Sequence, residues 1–300
     1  MTLLEELSSA VGSVASTAGP SIVGVGRHVR GAGVVVADGQ VLTNAHNLRG
    51  ETVTITFADG RSTSGSVTGV DPDGDLAVIS VDTSGATPIG WADDVNVPVG
   101  TPVFGAAATV GGGVRITFGL VSAVSRAFRG PGGRRIAGSL EHTAPLAPGS
   151  SGGALLDSGG KLVGLNTNRI GEGFYLALPA DAALRSRIEA LGRGESAQRR
   201  HLGVAIAPGH VARRLRRSVG LAERDGILVR GVEDGSLAAG AGLEAGDLIV
   251  SAGGRPIASA DDLHDALGAL DLPFELQLVR GAEDRTVTVG ADKGRTPGDA

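Results

Sequence analysis

Three residues of the types that perform nucleophilic catalysis occur in the order histidine, aspartate, serine along the chain: His46, Asp75 and Ser151. His46 ends an apolar stretch, Asp75 begins one, and Ser151 stands in the glycine-rich segment 148–153. A serine hydroxyl is a weak nucleophile until a neutral imidazole accepts its proton. A buried carboxylate then fixes the imidazole tautomer and stabilises the imidazolium. The pattern therefore predicts Ser151 as nucleophile, His46 as general base and Asp75 as the group that orients the base.

The glycine-rich turn around the serine is also suited to the intermediate of such a reaction. A tetrahedral oxyanion needs backbone N–H donors, and removing one donor typically lowers turnover by about 10²–10³-fold. Gly149, Gly152 and Gly153 permit backbone geometry that other residues avoid. We therefore predict an oxyanion hole formed by the N–H groups of Gly149, Ser150 and Ser151.

Each of these pieces has a second interpretation when it is taken alone. Asp75 suits an ordinary turn, His46 suits a core or sheet-edge position, and the segment 148–153 suits a flexible loop. The combination on a strand-rich background favours the catalytic interpretation. Chain order alone does not define a triad, because unrelated folds use other orders.

The surrounding sequence predicts a mainly β protein with a second, smaller unit. The chain has 300 residues, enough for about two domains. Residues 1–20 predict an N-terminal helix or extension, with apolar residues at helical spacing over 3–17. Short apolar runs separated by turn residues then predict a β barrel or sandwich of about 150 residues. The predicted strands lie at 21–25, 33–36, 41–43, 53–57, 77–81, 102–106, 117–124, 154–156 and 162–165.

The C-terminal part predicts a mixed α and β unit. A helix at 179–192 closes the first domain, residues 21–192, and the polar segment 193–200 is interpreted as a linker. The second domain covers 201–293, and residues 294–300 are expected to form a flexible tail. Its predicted strands are 202–206, 226–232, 247–252, 275–279 and 285–289, and its predicted helices are 210–219 and 260–270.

Composition excludes several other functions. The chain has no cysteine, which excludes disulfides and thiolate metal sites. Its six histidines are scattered without ligand spacing, so we expect no metal and no cofactor. The net charge of −5 and only eight aromatic residues argue against nucleic acid as a partner. The basic run at 211–217 is interpreted as a solvated helix face, and His142 as a structural residue.

The N-terminal residues lack the features of a signal peptide. Glu5 and Glu6 stand where a signal peptide carries its basic residues, and the first basic residue of the chain is Arg27. No apolar run approaches the roughly 20 residues that span a bilayer. We therefore expect a cytoplasmic protein without a membrane span, or a periplasmic or extracellular one if a leader was removed.

The motifs of the first domain resemble the HtrA/DegP family, in which a trypsin-like double β-barrel protease precedes a PDZ domain. The motifs are GAGVVV (31–36), VLTNAH (41–46), DPDGDLA (71–77), GLVSA (119–123), TAPLAPGSSGG (143–153) and LVGLN (162–166). The resemblance implies the same roles for His46, Asp75 and Ser151. It also implies ATP-independent cleavage of unfolded or damaged polypeptides. Finally, it implies that the substrate backbone pairs with Thr167, Asn168 and Arg169 as an added strand.

The second domain resembles a PDZ domain, most specifically at Gly246 and Asp247 opening a predicted strand. Such a domain binds peptide C-termini between a strand edge and a helix. The resemblance places this groove at Leu202, Gly203, Val204, Leu263, Ala266 and Leu267. The alternative for the three helix positions is that they belong only to the core.

Several positions depart from the family pattern. Asn47 follows the histidine where the family favours an aliphatic residue, and Ser150 stands where asparagine is common. Segment 104–109 lacks a customary Gly-Asn-Pro turn. The resemblance implies a homotrimer, although residues 1–20 lack the aromatic residues that commonly hold the family's trimers together. These departures keep two alternatives open: a peptide-binding chaperone or scaffold with a resting or inactive protease domain, and a protease of narrow specificity.

Overall fold

The computed structural model describes residues 2–93, 97–130, 135–196 and 201–290. The chain divides into two units, Met1–Gln198 and Arg199–Ala300. This division falls within the predicted linker 193–200, of which residues 197–200 lie outside the described part. The predicted tail 294–300 also lies outside it.

A closed antiparallel barrel forms the first half of the N-terminal unit, with strand order β1-β2-β3-β6-β5-β4. Its inner side chains are mostly valine and isoleucine, which suit a pleated, buried surface. Strand β6 pairs with β3 on one side and with β5 on the other, and a turn before Leu76 joins it to β5. The strands are β1 Ile22–Val25, β2 Gly31–Ala37, β3 Gln40–Thr43, β4 Thr52–Thr56, β5 Ser62–Asp71 and β6 Leu76–Ser80.

A second closed barrel follows, with strand order β10-β11-β12-β9-β8-β7. Segment 104–109, which departs from the family pattern, lies mostly in strand β7 and is largely buried. Its small residues allow close packing, since a Cβ at Gly105 would lie 2.9 Å from both Leu146 and Thr117. The strands are β7 Pro102–Ala108, β8 Val114–Arg129, β9 Arg135–His142, β10 Ala154–Leu156, β11 Leu162–Arg169 and β12 Tyr175–Pro179.

Two helices pack across the barrels. Helix α1, Leu3–Ala18, begins with a capping box in which Thr2 and Glu5 satisfy each other's backbone N–H. It contacts β8 of the second barrel. Helix α2, Ala182–Gly192, follows the second barrel but packs on β5 and β6 of the first. Buried side chains of both helices and both barrels therefore form one continuous core.

The boundary of helix α2 corrects the predicted helix 179–192. Pro179 is the last residue of β12, and Asp181 is the N-cap, whose side chain accepts a 2.8 Å hydrogen bond from the Leu184 N–H. A proline lacks the N–H but still suits a strand end. The helix therefore begins at Ala182, directly after the aspartate N-cap, whose side chain satisfies one of the N–H groups of the first turn.

The C-terminal unit contains an antiparallel sheet of order β13-β14-β15-β17-β18, with β16 paired to β15. Helix α5 covers part of its core, and Ser259 caps this helix through a capping box with Asp262. The strands are β13 Val204–Ala207, β14 Ile227–Val232, β15 Leu248–Ala252, β16 Arg255–Pro256, β17 Phe274–Arg280 and β18 Glu283–Val289. The helices are α3 Gly209–Ser218, α4 Leu237–Ala241 and α5 Ala260–Ala269.

The basic helix α3 is not simply a solvated face, which corrects the prediction for 211–217. Arg216 is only 5% exposed, and its guanidinium donates hydrogen bonds to the carbonyl oxygens of Ala222 at 2.9 Å and Gly281 at 3.1 Å. Arg213 pairs with Asp225 at 2.9 Å. The guanidinium groups of Arg213 and Arg216 therefore make contacts within the domain rather than facing only solvent.

Candidate active site

The predicted base and orienting group meet at one edge of the first barrel. A 3₁₀ turn, Ala45–Asn47, follows β3 and carries His46, while Asp75 directly precedes β6. His46 Nδ1 lies 2.8 Å from Oδ2 and 3.0 Å from Oδ1 of Asp75. The His46 side chain is 31% exposed and that of Asp75 only 2%, so the imidazole reaches solvent while the carboxylate does not. This arrangement fixes Nδ1 as the protonated nitrogen and leaves Nε2 as a base.

Backbone and side-chain hydrogen bonds hold Asp75 in place. The His46 N–H donates to Oδ1 at 3.1 Å, and Thr167 Oγ1 donates to Oδ2 at 3.0 Å. The Asp75 carbonyl accepts from the Ala45 N–H at 3.2 Å and from Asn44 Nδ2 at 2.9 Å. Asp75 also has φ +55°, which is uncommon for a residue other than glycine. The surrounding donors maintain this conformation.

Ser151 lies in the turn before β10, within the second barrel. Its carbonyl oxygen accepts two hydrogen bonds from the first barrel, each of 2.8 Å, from the Ala32 N–H and from Asn47 Nδ2. Its hydroxyl donates to the carbonyl oxygen of Thr167 at 2.9 Å. Within the described residues no hydrogen bond joins this hydroxyl to His46. The hydroxyl must therefore leave the Thr167 carbonyl oxygen before the imidazole can accept its proton.

The glycine turn around Ser151 has the backbone geometry that the sequence predicts. Gly149 and Gly152 both have φ +85°, and a Cβ at Gly152 would overlap the carbonyl oxygen of Ala32. The Ser150 N–H donates to Ala147 O at 3.2 Å, so it is engaged within the turn, and its role as an oxyanion donor stays a prediction. Across the described ranges, the N–H groups of Gly149 and Ser151 have no such acceptor. These two groups remain as the predicted donors.

A small cavity of about 160 Å³ lies beside Ser151. Its walls include Leu146, the glycine turn, Asn166 and Tyr175. Its position beside the nucleophile suits the side chain that precedes a scissile bond.

Behind this cavity lies a buried polar pair. His142 is fully buried, its Nε2 lies 3.0 Å from Asn166 Oδ1, and its ring stacks on Tyr175 with 5.8 Å between centroids. Burial lowers the pKa of His142 to about 4, against the opposing effect of the Asn166 hydrogen bond. The imidazole is therefore neutral near pH 7. The interpretation of His142 as structural agrees with this burial.

Strand β11 brings the predicted substrate-pairing residues to the site. Thr167 is buried, whereas Asn168 and Arg169 are exposed. The contacts of Thr167 with both Asp75 and Ser151 were not predicted. The sequence carries no signal for them, because 92 residues separate Thr167 from Asp75 and no periodic pattern records a single side-chain hydrogen bond.

The predicted PDZ groove residues divide into two groups. Val204 begins the edge strand β13, and Gly203 before it has φ +77° with no room for a Cβ against Ser236. By contrast, Leu202 and the helix residues are buried among core side chains, as the alternative interpretation of the helix positions expects. Their exposures are 2% for Leu202, 3% for Leu263, 1% for Ala266 and 5% for Leu267. A role for them in peptide binding stays a prediction.

The described residues contain neither a metal-ligand cluster nor a membrane-spanning helix. No group of three or more acidic or histidine side chains is placed to hold a metal ion there. None of the helices in the same ranges combines the length and apolar character needed to cross a bilayer.

Two joined barrels with a histidine–aspartate pair on one and a serine in a glycine turn on the other define the trypsin-like class of serine protease. A family model described as a trypsin-like peptidase domain matches residues 31–165. A second, described as a PDZ domain, matches residues 228–289. The predicted fold class, a double-barrel protease domain followed by a small α+β PDZ domain, is confirmed.

Comparison with individual proteins identifies the family. The chain is 31% identical over 288 residues to the serine protease HhoA of Synechocystis sp., covering 89% of this chain and 72% of HhoA. It is 30% identical over 272 residues to a DegP-like periplasmic serine endoprotease of Halomonas elongata, of which it spans 56%. The chain thus covers about half the length of its DegP-like relatives. It belongs to the HtrA/DegP family.

Solved structures agree with this fold. The HtrA-type protease AlgW with a bound decapeptide superposes with a TM-score of 0.74 at 23% identity, covering 93% of this chain and 97% of that one. A serine endoprotease of Yersinia pestis gives a TM-score of 0.69 at 25% identity, covering 93% and 96%.

Proposed function

We propose that the protein is an ATP-independent serine endopeptidase that cleaves unfolded or damaged polypeptides. The observation that carries this proposal is the 2.8 Å contact between His46 Nδ1 and the buried Asp75 carboxylate, with Ser151 linked to the same assembly through Thr167. Membership of the HtrA/DegP family supports the same reaction.

In the proposed mechanism a substrate segment pairs with the backbone of Thr167–Arg169. A backbone N–H of the substrate donates a hydrogen bond to the Thr167 carbonyl oxygen in place of the Ser151 hydroxyl. The hydroxyl is then free to donate to His46 Nε2. His46 accepts the hydroxyl proton as Oγ attacks the scissile carbonyl carbon, and the N–H groups of Gly149 and Ser151 bind the oxyanion.

The second half of the cycle uses the same groups. The C–N bond breaks as His46 gives its proton to the leaving amine, and the acyl group remains on Ser151. A water molecule, deprotonated by His46, then attacks the ester and releases the new carboxyl end with the free serine hydroxyl. The chemistry requires no cofactor.

The PDZ domain has a binding or regulatory role in this proposal. Peptide C-termini or exposed apolar segments would add to the edge strand β13, either tethering the substrate or changing protease activity. A homotrimer stays a prediction, which sedimentation equilibrium tests.

The place of action is also part of the proposal. Relatives of this chain are named as periplasmic, and we extend that location to this protein in place of the cytoplasmic expectation. Fractionation of cells expressing the natural gene, with detection by antibody, tests it.

The experiment that tests the proposed activity is intact-mass measurement after incubation with a fluorophosphonate probe, with Ser151→Ala in parallel. We expect one adduct on the natural protein and none on the variant. A folded protein without any adduct would favour the alternative, a chaperone with a resting protease domain. Suppression of aggregation by Ser151→Ala would then support that alternative.

A further inference from the structure

A second, wider cavity of about 600 Å³ opens over the catalytic pair. His46, Ser151 and Thr167 line it together with three arginines, Arg49, Arg129 and Arg169. All three arginines are exposed, and they come from the loop after β3, from β8 and from β11. We call this cavity the arginine cleft.

The charge of the arginine cleft is opposite to that of the whole chain. The chain carries a net charge of −5. Among the described residues that line the cleft, the only carboxylate is Asp75, whose side chain is 2% exposed and occupied by His46 and Thr167. A recess lined by one sign of charge concentrates ligands of the other sign.

The local contacts of two of these arginines leave donors for a ligand. Arg169 donates from Nε to Gly171 O at 2.7 Å, and Arg49 donates from Nη1 to Leu48 O at 3.2 Å. A guanidinium has five N–H donors in a fork that matches a carboxylate. Counting contacts with described residues alone, both side chains are anchored at one point and keep donors for further bonds.

The position of the arginine cleft relates it to the substrate. Arg169 ends β11, two residues beyond Thr167, on the strand that the proposed function assigns to backbone pairing. Side chains of a paired substrate that precede the residue in the small cavity would extend along this cleft.

We propose that the arginine cleft is a specificity site for acidic side chains, so that the enzyme prefers polypeptides with aspartate or glutamate shortly before the scissile bond. This inference rests on the proposed function. Arg169 is the central contact, and Arg49 and Arg129 add to the positive field. Charge-assisted pairing of this kind gives substrate selection that depends on ionic strength.

Matched peptides test the proposal. Internally quenched peptides with aspartate or asparagine at each position before the cleaved bond differ only in charge. We expect about tenfold higher kcat/KM for the best aspartate peptide at low salt, because charge-assisted bonds are roughly twice as strong as neutral ones. The ratio should fall toward one in high salt. Equal cleavage of both peptides at every position overturns the inference.

Arginine variants test which residues act. Arg169→Gln and the triple change with Arg49→Gln and Arg129→Gln should bring the ratio of kcat/KM between aspartate and asparagine peptides, measured within each variant, to about one. Arg115→Gln, an exposed arginine of β8 outside the cleft, is the matched control and should keep the preference. A preference that survives the triple change contradicts the proposal.

A binding measurement separates this inference from the proposed activity. Fluorescence anisotropy of the same peptides on Ser151→Ala protein requires no turnover. Tighter binding of aspartate peptides supports the cleft even if the natural protein shows no proteolysis, and equal binding contradicts it. Normal probe labelling together with equal binding would leave the proposed protease intact and remove only the acidic preference.

Discussion

The side-chain Nδ2 of Asn47 donates a 2.8 Å hydrogen bond to the carbonyl oxygen of Ser151, across 104 residues of sequence. The same nitrogen donates to Thr43 Oγ1 at 2.9 Å, and Thr43 Oγ1 in turn donates to Ala32 O at 2.7 Å. One buried amide, next in sequence to the general base, thus fixes the peptide group of the nucleophile. An aliphatic residue at this position could not do so.

Loss of this amide should affect chemistry more than folding. We expect Asn47→Val to lower the rate of probe labelling of Ser151 by about tenfold, which corresponds to about 1.4 kcal/mol, as expected for one hydrogen bond. The measurement is the second-order labelling rate, beside urea unfolding. Ile79→Val, a buried change in the same barrel, costs about 0.5–1.5 kcal/mol in stability and should leave labelling unchanged. An equal effect of both variants on labelling would make Asn47 merely structural.

Thr167 should contribute to catalysis through its hydroxyl. Thr167→Val removes the 3.0 Å hydrogen bond to Asp75 while keeping the side-chain shape. Hydrogen bonds to charged groups are worth about 1.5–3 kcal/mol, so kcat/KM on a denatured substrate should fall by tenfold or more. Thr167→Ser retains the hydroxyl and should restore most of the activity. Equal activity of all three proteins would contradict the assignment.

His142 should make the protease domain sensitive to acid. Its pKa is lowered to about 4 by burial, against about 6.5 in an unfolded chain. As the pH falls from about 6.5 to 4, the unfolded state binds the proton first, so the free energy of unfolding decreases by up to about 3 kcal/mol. Urea unfolding at several pH values, compared between the natural protein and His142→Gln, measures this loss. A parallel pH dependence of the two proteins would show that another group is responsible.

Two neighbouring arginines of helix α3 should behave differently. Arg216→Ala removes a buried side chain and its two hydrogen bonds to the carbonyl oxygens of Ala222 and Gly281, each worth about 0.5–1.5 kcal/mol, so the second unit should lose about 1–3 kcal/mol of stability. Arg214 is exposed, and Arg214→Ala should change stability by less than about 0.5 kcal/mol. Hydrogen exchange of strand β14 in each variant measures the difference. Equal loss of protection would contradict a structural role for Arg216.

The sequence predicted most of the elements that carry a hydrophobic pattern, with the apolar strand β12 as an exception. Strands β1, β3 and β6 are runs of buried valine, leucine and isoleucine, and the pattern identified them. Strands β5 and β9 were missed, because their serine, threonine, glycine and charged residues show no alternation. Strand β8 was predicted as 117–124 but spans Val114–Arg129, since its ends are held by backbone pairing to β7 and β9. Backbone pairing of that kind leaves no trace in side-chain pattern.

The identities of the catalytic residues could be predicted from the sequence, but the hydrogen bonds that hold them in place could not. The residue types and glycines identified His46, Asp75 and Ser151. Neither the contact of Asn47 with Ser151 nor the engagement of the Ser150 N–H by Ala147 could be read from the chain. Each hydrogen bond depends on backbone positions that are fixed only once the barrels have folded.

The crossed packing of helices α1 and α2 has a consequence for how the protease unit can be divided. Helix α1 precedes the first barrel yet contacts the second, and helix α2 follows the second barrel yet covers the first. A chain cut between the barrels would give two fragments, each lacking the helix that shields it and each exposing apolar surface. Such fragments should be insoluble apart and recover a folded unit only when mixed. Each half of the active site therefore depends for its folding on a helix that belongs to the other half of the protease unit's sequence.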